Sequence, residues 1–276
     1  MLTYPAFAQI MATGAGLKRP DVAELATAAG LTGASIVLRR LAGGGVGWEV
    51  TLDPGAPRAA ASMIKVPVAA ALTALWLEGS MHPEDRAIVR ESNMTANDAA
   101  SPLVPGYSAR LDELGWLMIA RSDNVATNSL IDVIGRDRAT ALAHSWGLSS
   151  TAVRRKLSGS LPLIADPEEQ GRNAHPAADA AHLFTQIAQG TIPGSDWLRD
   201  TLAAQEWNTK LSGGLLEGDR FAHKTGDTDE VSHDGGILEL AGGARYVIVV
   251  YTALPSSPQN DARFAEFMRV LRPSLA

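Results

Sequence analysis

The stretch Ala61-Ser62-Met63-Ile64-Lys65-Val66-Pro67 decides how this chain is read. After it, Val66, Ala69, Ala70, Leu72, Thr73, Leu75 and Trp76 recur at helical spacing, so a helix is predicted to begin here. Residues three apart on a helix share a face. If the first turn is helical, the Lys65 amine therefore lies beside the Ser62 hydroxyl. The start of a helix also carries free N–H groups and partial positive charge. A weak alcohol becomes a nucleophile in such a setting, with a base beside it and donors waiting for the oxyanion. Pro67 lies close enough to the helix start to cost at most one backbone bond.

Outward from this point the pattern changes on both sides. Toward the N-terminus, Pro5 to Met11 and Asp21 to Ala28 read as helices, broken by Gly14, Gly16 and Gly30. Ala34 to Leu41 and Val46 to Leu52 read as two strands joined at Ala42-Gly43-Gly44-Gly45, a hairpin. From about Ser62 to about Gln205 the chain reads as helix and loop, with no strand. Gly235 to Leu240 and Ala244 to Tyr251 are again strands, and a closing helix runs from about Asn260 to Leu271 before Pro273. Strands at both ends with helices between predict an α+β fold: one antiparallel sheet built from both termini, flanked by helices, with an all-helical lobe inserted. The expected division is residues 1–58 with 210–276 for the sheet domain and 59–209 for the helical one, the active site lying between them.

Composition narrows the chemistry. The chain has 276 residues, of which 46% are hydrophobic, enough for a sizeable core, and a net charge of −6. No stretch reads as a basic patch, so nucleic acid is not expected as a partner. Cysteine is absent, which excludes disulfides, thiolate catalysis and cysteine–zinc sites. The six histidines show no metal-ligand spacing, and no metal or other cofactor is expected. No apolar run reaches the length of a membrane span. Met1 to Ala12 is apolar but lacks a basic n-region and makes a poor signal peptide, which leaves a cytoplasmic protein or an exported one whose leader is removed. A small-molecule substrate and a monomer are the expectation.

Two further motifs follow the first. Ser122-Asp123-Asn124 comes after a helical run from Leu111 to Arg121, and Lys224-Thr225-Gly226 comes after the short strand Phe221-Ala222-His223. S-x-x-K alone is a weak signal. S-x-x-K, S-D-N and K-T-G in that order, around one inserted lobe, form a strong one, and with them the chain resembles the class A β-lactamases and related penicillin-binding serine hydrolases. The flanking run Arg121 to Asn128 and a helical segment from Gly135 to Gly147 extend the resemblance over roughly Ser35 to Leu271. Lysine usage agrees: the only lysines are Lys18, Lys65, Lys156, Lys210 and Lys224, and two of the five stand in these motifs.

The resemblance implies a β-lactamase/transpeptidase-like fold and a role for each motif residue. Ser62 attacks a carbonyl, Lys65 is the candidate base, Ser122 passes a proton to the leaving nitrogen, and Lys224 supplies fixed charge. Asn124, Thr225 and Gly226 bind substrate, and the backbone N–H groups of Ser62 and Asp227 form the oxyanion hole. Asp123 is expected to be structural, capping the helix that follows. His223 and His233 are weighed as structural rather than substrate-touching, and Trp76, Trp116, Trp146 and Trp207 as packing residues. The family's deacylating glutamate has no counterpart: after Val153-Arg154-Arg155-Lys156, its place falls on Leu157, and only Glu168 and Glu169 lie farther along the loop. The family's arginine opposite the K-T-G strand also lacks a match, Asp234 or Gly235 falling there. Acyl transfer is therefore expected, with slow β-lactam turnover; a D-alanyl carboxypeptidase or esterase, or a penicillin-binding sensor that stays acylated, are the competing readings.

Overall fold

The computed structural model describes residues 19–275. The helix read from Pro5 to Met11 lies outside these residues. In chain order the elements are α1 (Val22–Ala28), β1 (Ser35–Ala42), β2 (Gly45–Leu52), α2 (Lys65–Leu77), β3 (Arg86–Ile88), β4 (Ser108–Arg110), α3 (Leu111–Ala120), α4 (Asn124–Ile134), α5 (Arg136–Ser145), α6 (Ala177–Gln189), α7 (Ser195–Ala203), β5 (Arg220–Asp227), β6 (Ser232–Glu239), β7 (Arg245–Thr252) and α8 (Pro258–Leu271). Local chemistry sets several boundaries. Asp21 caps α1, accepting from the N–H groups of Ala23 and Glu24, and Ser257 caps α8 through Asn260 N–H. The β1–β2 hairpin turns at Gly43 and Gly44, both with positive φ.

Five strands form one antiparallel sheet in the order β2-β1-β7-β6-β5, so strands from the two ends of the chain are neighbours, as the pattern predicts. The middle strand, β7, is covered on both faces and is apolar almost throughout. Its alternation sorts the core. Val247, Val249 and Tyr251 join one buried cluster with residues of α2, α3, α4 and α6; Tyr246, Ile248 and Val250 join a second with residues of α1 and α8. The fold is α+β and β-lactamase/transpeptidase-like.

One difference from the sequence reading lies in the helical region. β3 and β4, three residues each, pair as Arg86↔Arg110, Ala87↔Ala109 and Ile88↔Ser108, where no strand was expected. Runs this short present no alternation to read. Two sheet strands also run beyond their apolar pattern: β5 continues through the whole of Lys224-Thr225-Gly226 to Asp227, and β6 starts at Ser232.

Candidate active site

Ser62 stands in a 3-10 turn, Ala61–Ile64, directly before α2. α2 is buried along nearly its whole length, so the turn rests on a rigid support. β5 is the edge strand of the sheet and its end runs against this turn. Gly226 makes that approach feasible. A Cβ there would lie 3.1 Å from Met63 Cγ, 3.3 Å from Ala61 Cβ and 3.3 Å from Met63 N, and would press the strand away from the turn that carries Ser62. A cleft of ≈ 260 Å³ opens at this junction, lined by Ser62, Ser122, Thr225 and Asp227 among others. Two residues beside it hold strained backbone, Ala61 at φ 46° and Ser122 at φ 57°. Each such non-glycine residue costs about 1–3 kcal/mol, a cost that concentrates at functional sites.

The three motifs converge on the Ser122 hydroxyl. Lys65 Nζ lies 2.6 Å from Ser122 O, 2.8 Å from Asn124 Oδ1 and 3.1 Å from Ser122 Oγ. Lys224 Nζ lies 2.9 Å from the same Ser122 Oγ and 2.9 Å from Thr225 O. Both lysines are wholly buried. Burial drives the Lys65 amine well below the usual lysine range, and the Lys224 charge pushes it further down against the pull of Asp123 and Asp98. Burial likewise brings Lys224 down to about 7, with Asp227 opposing it and Lys210 adding to it. Lys65 donates to Ser122 O, Asn124 Oδ1 and Ser122 Oγ, and Lys224 donates to the same Oγ, so the Ser122 hydroxyl links the two amines.

The three hydrogen bonds of Lys65 go to Ser122 and Asn124 and none to Ser62, which stands in the 3-10 turn just before α2. Asn124 is itself fixed, its Nδ2 donating to Ala96 O at 3.0 Å and its backbone N–H to Asn97 Oδ1 at 2.6 Å. Asp123 caps α4, its Oδ1 accepting from Ala126 N–H at 2.9 Å, and is 3% exposed.

Leu157 is clasped by α4. Its N–H donates to Asn128 Oδ1 at 2.7 Å and its carbonyl accepts from Asn128 Nδ2 at 2.9 Å. Next to it, Lys156 is tied to Asn93 and Asp132 at 2.6 and 2.8 Å, and Gly159 packs against Ala96 and the Asn124 amide. The loop segment 156–159 thus borders the lysine-holding asparagine. The two glutamates on the loop lie elsewhere: Glu168 pairs with Arg136 at 2.6 Å with its side chain 80% exposed, and Glu169 pairs with Arg155 at 3.4 Å. Neither lines the cleft.

Other residues entered the cleft without being foreseen. Lys210, Asp98, Thr209, Ser256 and Asp261 line it, and so does Trp207, read above as a packing residue; its Nε1 donates to Arg121 O at 3.2 Å. Trp116 is 41% exposed and so is not a core residue. Lys210 carried one signal, being among the five lysines, but no motif pointed to it. His223 and His233 stay out of the cleft. His223 bonds Asp234 at 2.7 Å and Ser212 at 3.1 Å, a serine–histidine–aspartate sequence of contacts, yet His223 and Asp234 are both fully buried between strands and no cleft opens onto them. Asp234 also accepts from Leu211 N–H at 3.0 Å, so the group fastens β5 and β6 to the turn after Lys210. His233 stacks on Tyr251. No metal-binding cluster of acids and histidines, and no helix long and apolar enough to cross a membrane, is found among the described residues.

Comparison with known proteins agrees with this geometry. The profile of the Beta-lactamase enzyme family matches residues 19–271. A beta-lactamase of Rhodobacter capsulatus is 26% identical over 209 residues, 74% of this chain and 68% of the relative. The beta-lactamase regulatory protein BlaB of Streptomyces cacaoi is 23% identical, covering 89% of this chain and 93% of the relative. Among solved structures, a leucine-to-glutamate variant of PBP-A, as its acyl-enzyme complex with penicillin G, superposes with a TM-score of 0.78 at 27% identity over 91% of this chain and 93% of that one. A profile that spans nearly all the described residues, on a fold shared with such proteins, settles the kinship: the chain belongs to the Beta-lactamase enzyme family and is a serine hydrolase of it.

Proposed function

We propose that the protein forms an acyl-enzyme on Ser62 with β-lactams, or with amides and esters resembling D-alanyl peptides. The observation that carries this reading is the Ser122 hydroxyl held between two buried lysine amines at the mouth of the Ser62 cleft. In the proposed reaction Ser62 Oγ attacks the carbonyl carbon while its proton passes to neutral Lys65, the oxyanion being received by the N–H groups of Ser62 and Asp227. Lys65 must first exchange one of its present partners for Ser62. The Ser122 hydroxyl then gives its proton to the leaving nitrogen or oxygen as Lys65 returns one to Ser122. Below about pH 7 Lys224 keeps positive charge beside Ser122, and Asn124, Thr225 and Gly226 line the acyl donor.

Release of the acyl group is proposed to be slow. Hydrolysis needs a water held by a base, and a leucine side chain can neither orient that water nor take its proton. Leu157 occupies the clasped position beside Asn124, and Glu168 and Glu169 are engaged by arginines away from the cleft. This favours a second reading, in which the acylated protein is itself the product, as in a sensor or trap; one relative carries the name of a regulatory protein. Intact mass followed over time, after addition of benzylpenicillin and of a D-alanyl ester, separates these outcomes. A stable adduct on the wild type and none on Ser62→Ala is expected. Equal labelling of both would refute Ser62 as nucleophile, and fast turnover of penicillin without an accumulating adduct would refute the slow release.

A further inference from the structure

The cleft contains an ion pair of its own. Lys210 Nζ donates to both carboxylate oxygens of Asp227 at 2.6 Å and to His233 O at 3.1 Å. Those three bonds use every donor of an ammonium group. The Lys210 side chain is 2% exposed and that of Asp227 26%, so the cleft, which both line, meets the carboxylate far more than the ammonium. Asp227 is held there: it ends β5 directly after the K-T-G motif, and Ser232 Oγ donates to its Oδ1 at 3.0 Å. The other lysine of the strand, Lys224, is wholly buried and turned to Ser122 and to Thr225 O. Two more carboxylates line the same cleft. Asp261 accepts from Thr209 Oγ1 at 2.6 Å through Oδ2, while its Oδ1 has no partner, and Asp98 is exposed at the opposite rim.

We propose that Asp227 sets the charge preference of the cleft. It occupies Lys210, where a carboxylate on the acyl donor would otherwise bind, so donors with an uncharged or cationic group beside the end of β5 acylate Ser62 faster than the same donors bearing a carboxylate there. The proposal rests on acylation at Ser62 as proposed above. A donor carboxylate entering this end must either take Lys210 from Asp227, leaving Asp227 unpaired next to a like charge, or lie beside an ion pair whose exposed half is negative. Both routes are unfavourable in a partly desolvated cleft. An amide meets neither obstacle, and an ammonium group finds the part-exposed carboxylate of Asp227.

The test uses one thioester acyl donor in two forms, ending in a free carboxylate or in the carboxamide, with second-order acylation read by intact mass. The wild type is expected to prefer the carboxamide by about tenfold or more. Asp227→Asn keeps the backbone N–H and the side-chain shape but frees Lys210. It should shift the ratio toward the carboxylate by about tenfold, and adding Lys210→Met should remove that gain. A wild type that takes the carboxylate form as fast as the carboxamide overturns the proposal, whether or not any variant folds. So does a carboxamide preference left unchanged in folded Asp227→Asn. Failure of both donors to acylate the wild type above the Ser62→Ala background would instead refute the Ser62 reading, and this proposal with it.

Discussion

Neutralising Lys224 should shift the pH at which Ser62 becomes reactive. The Lys65 and Lys224 amines contact one oxygen at 3.1 and 2.9 Å, so they lie no more than about 6 Å apart. At an effective dielectric near 20, two unit charges at that distance repel by about 3 kcal/mol, the equivalent of about two pH units. In the role proposed for it Lys65 is a base only when neutral, so acylation is expected to rise with pH through its titration. The Lys224 charge holds that titration down, after burial itself. Lys224→Met removes the charge, Lys65 then keeps its proton to higher pH, and the acid limb of the acylation profile should move up by about one to two pH units. Lys224→Arg keeps a charge and should leave the limb near its wild-type place, although rates fall in both variants. The assay is the second-order rate of adduct formation with an uncharged ester between about pH 4.5 and 9.5, so that substrate charge does not enter. A limb that stays fixed or moves down in Lys224→Met would refute the coupling of the two lysines and, with it, the role of Lys65 as the base.

Three further outcomes can be measured. Leu157→Glu, on a backbone already clasped by Asn128, should shorten the acyl-enzyme lifetime, since general-base assistance is worth about 10²–10⁴-fold; an unchanged lifetime by intact mass would mean the side chain does not reach the acyl carbonyl. Asn128→Ala removes bonds to Leu157 N–H, Leu157 O and Asn93 O, which should cost about 2–4 kcal/mol in urea unfolding and open residues 158–173 to protease before the rest; a wild-type midpoint and cleavage pattern would count against the clasp. His175 and His233 are buried and pushed down, chiefly by burial, to about 3 and about 4. The unfolded chain protonates both below about pH 6.5, so stability is full above that value and falls by about 1.4 kcal/mol per pH unit for each as pH drops toward 4. His175→Gln should reduce that slope by about one proton, and an unaltered slope would show that His175 is protonated in the folded state.

The sheet and the motif triangle could be read from sequence because each rests on a local, periodic or spaced signal. Arg245 to Thr252 is nearly all β-branched or aromatic, and its two-faced burial explains why it reads as an unbroken run rather than an alternation. Ser62, Lys65, Ser122 and Lys224 stand in fixed spacings, and the fold brings both lysines to the Ser122 hydroxyl and Ser62 to the same cleft. What stayed hidden depended on contacts between distant segments. Lys210 and Asp227 are 26% exposed or less at the side chain and meet only because β5 folds back beside the turn that precedes it. Trp207 looks like any core tryptophan until Arg121 O takes its N–H. That the hydrogen bonds of Lys65 go to Ser122 and Asn124 is likewise a contact between distant segments, which spacing does not encode. Lys224 of the K-T-G strand is turned inward to Ser122, and Asp227 at the end of that strand faces the cleft.

The order of strands carries a consequence for how the molecule comes into being. The middle of the sheet, β7, is the last strand of the chain, and Ser35 near the beginning pairs with Tyr251 near the end. On the ribosome, the opening hairpin and every helix from α2 to α7 emerge before the strand on which β1 and β6 both depend. The hairpin therefore waits with one edge unsatisfied, and pairing across so long a stretch of chain is slow to close. Ser62 and the edge strand that faces it both lie inside the stretch which that closure spans, so the cleft between them is fixed only once β7 has joined the sheet. A nascent chain stopped before residue 245 would carry all three motifs and still lack the central strand of its sheet.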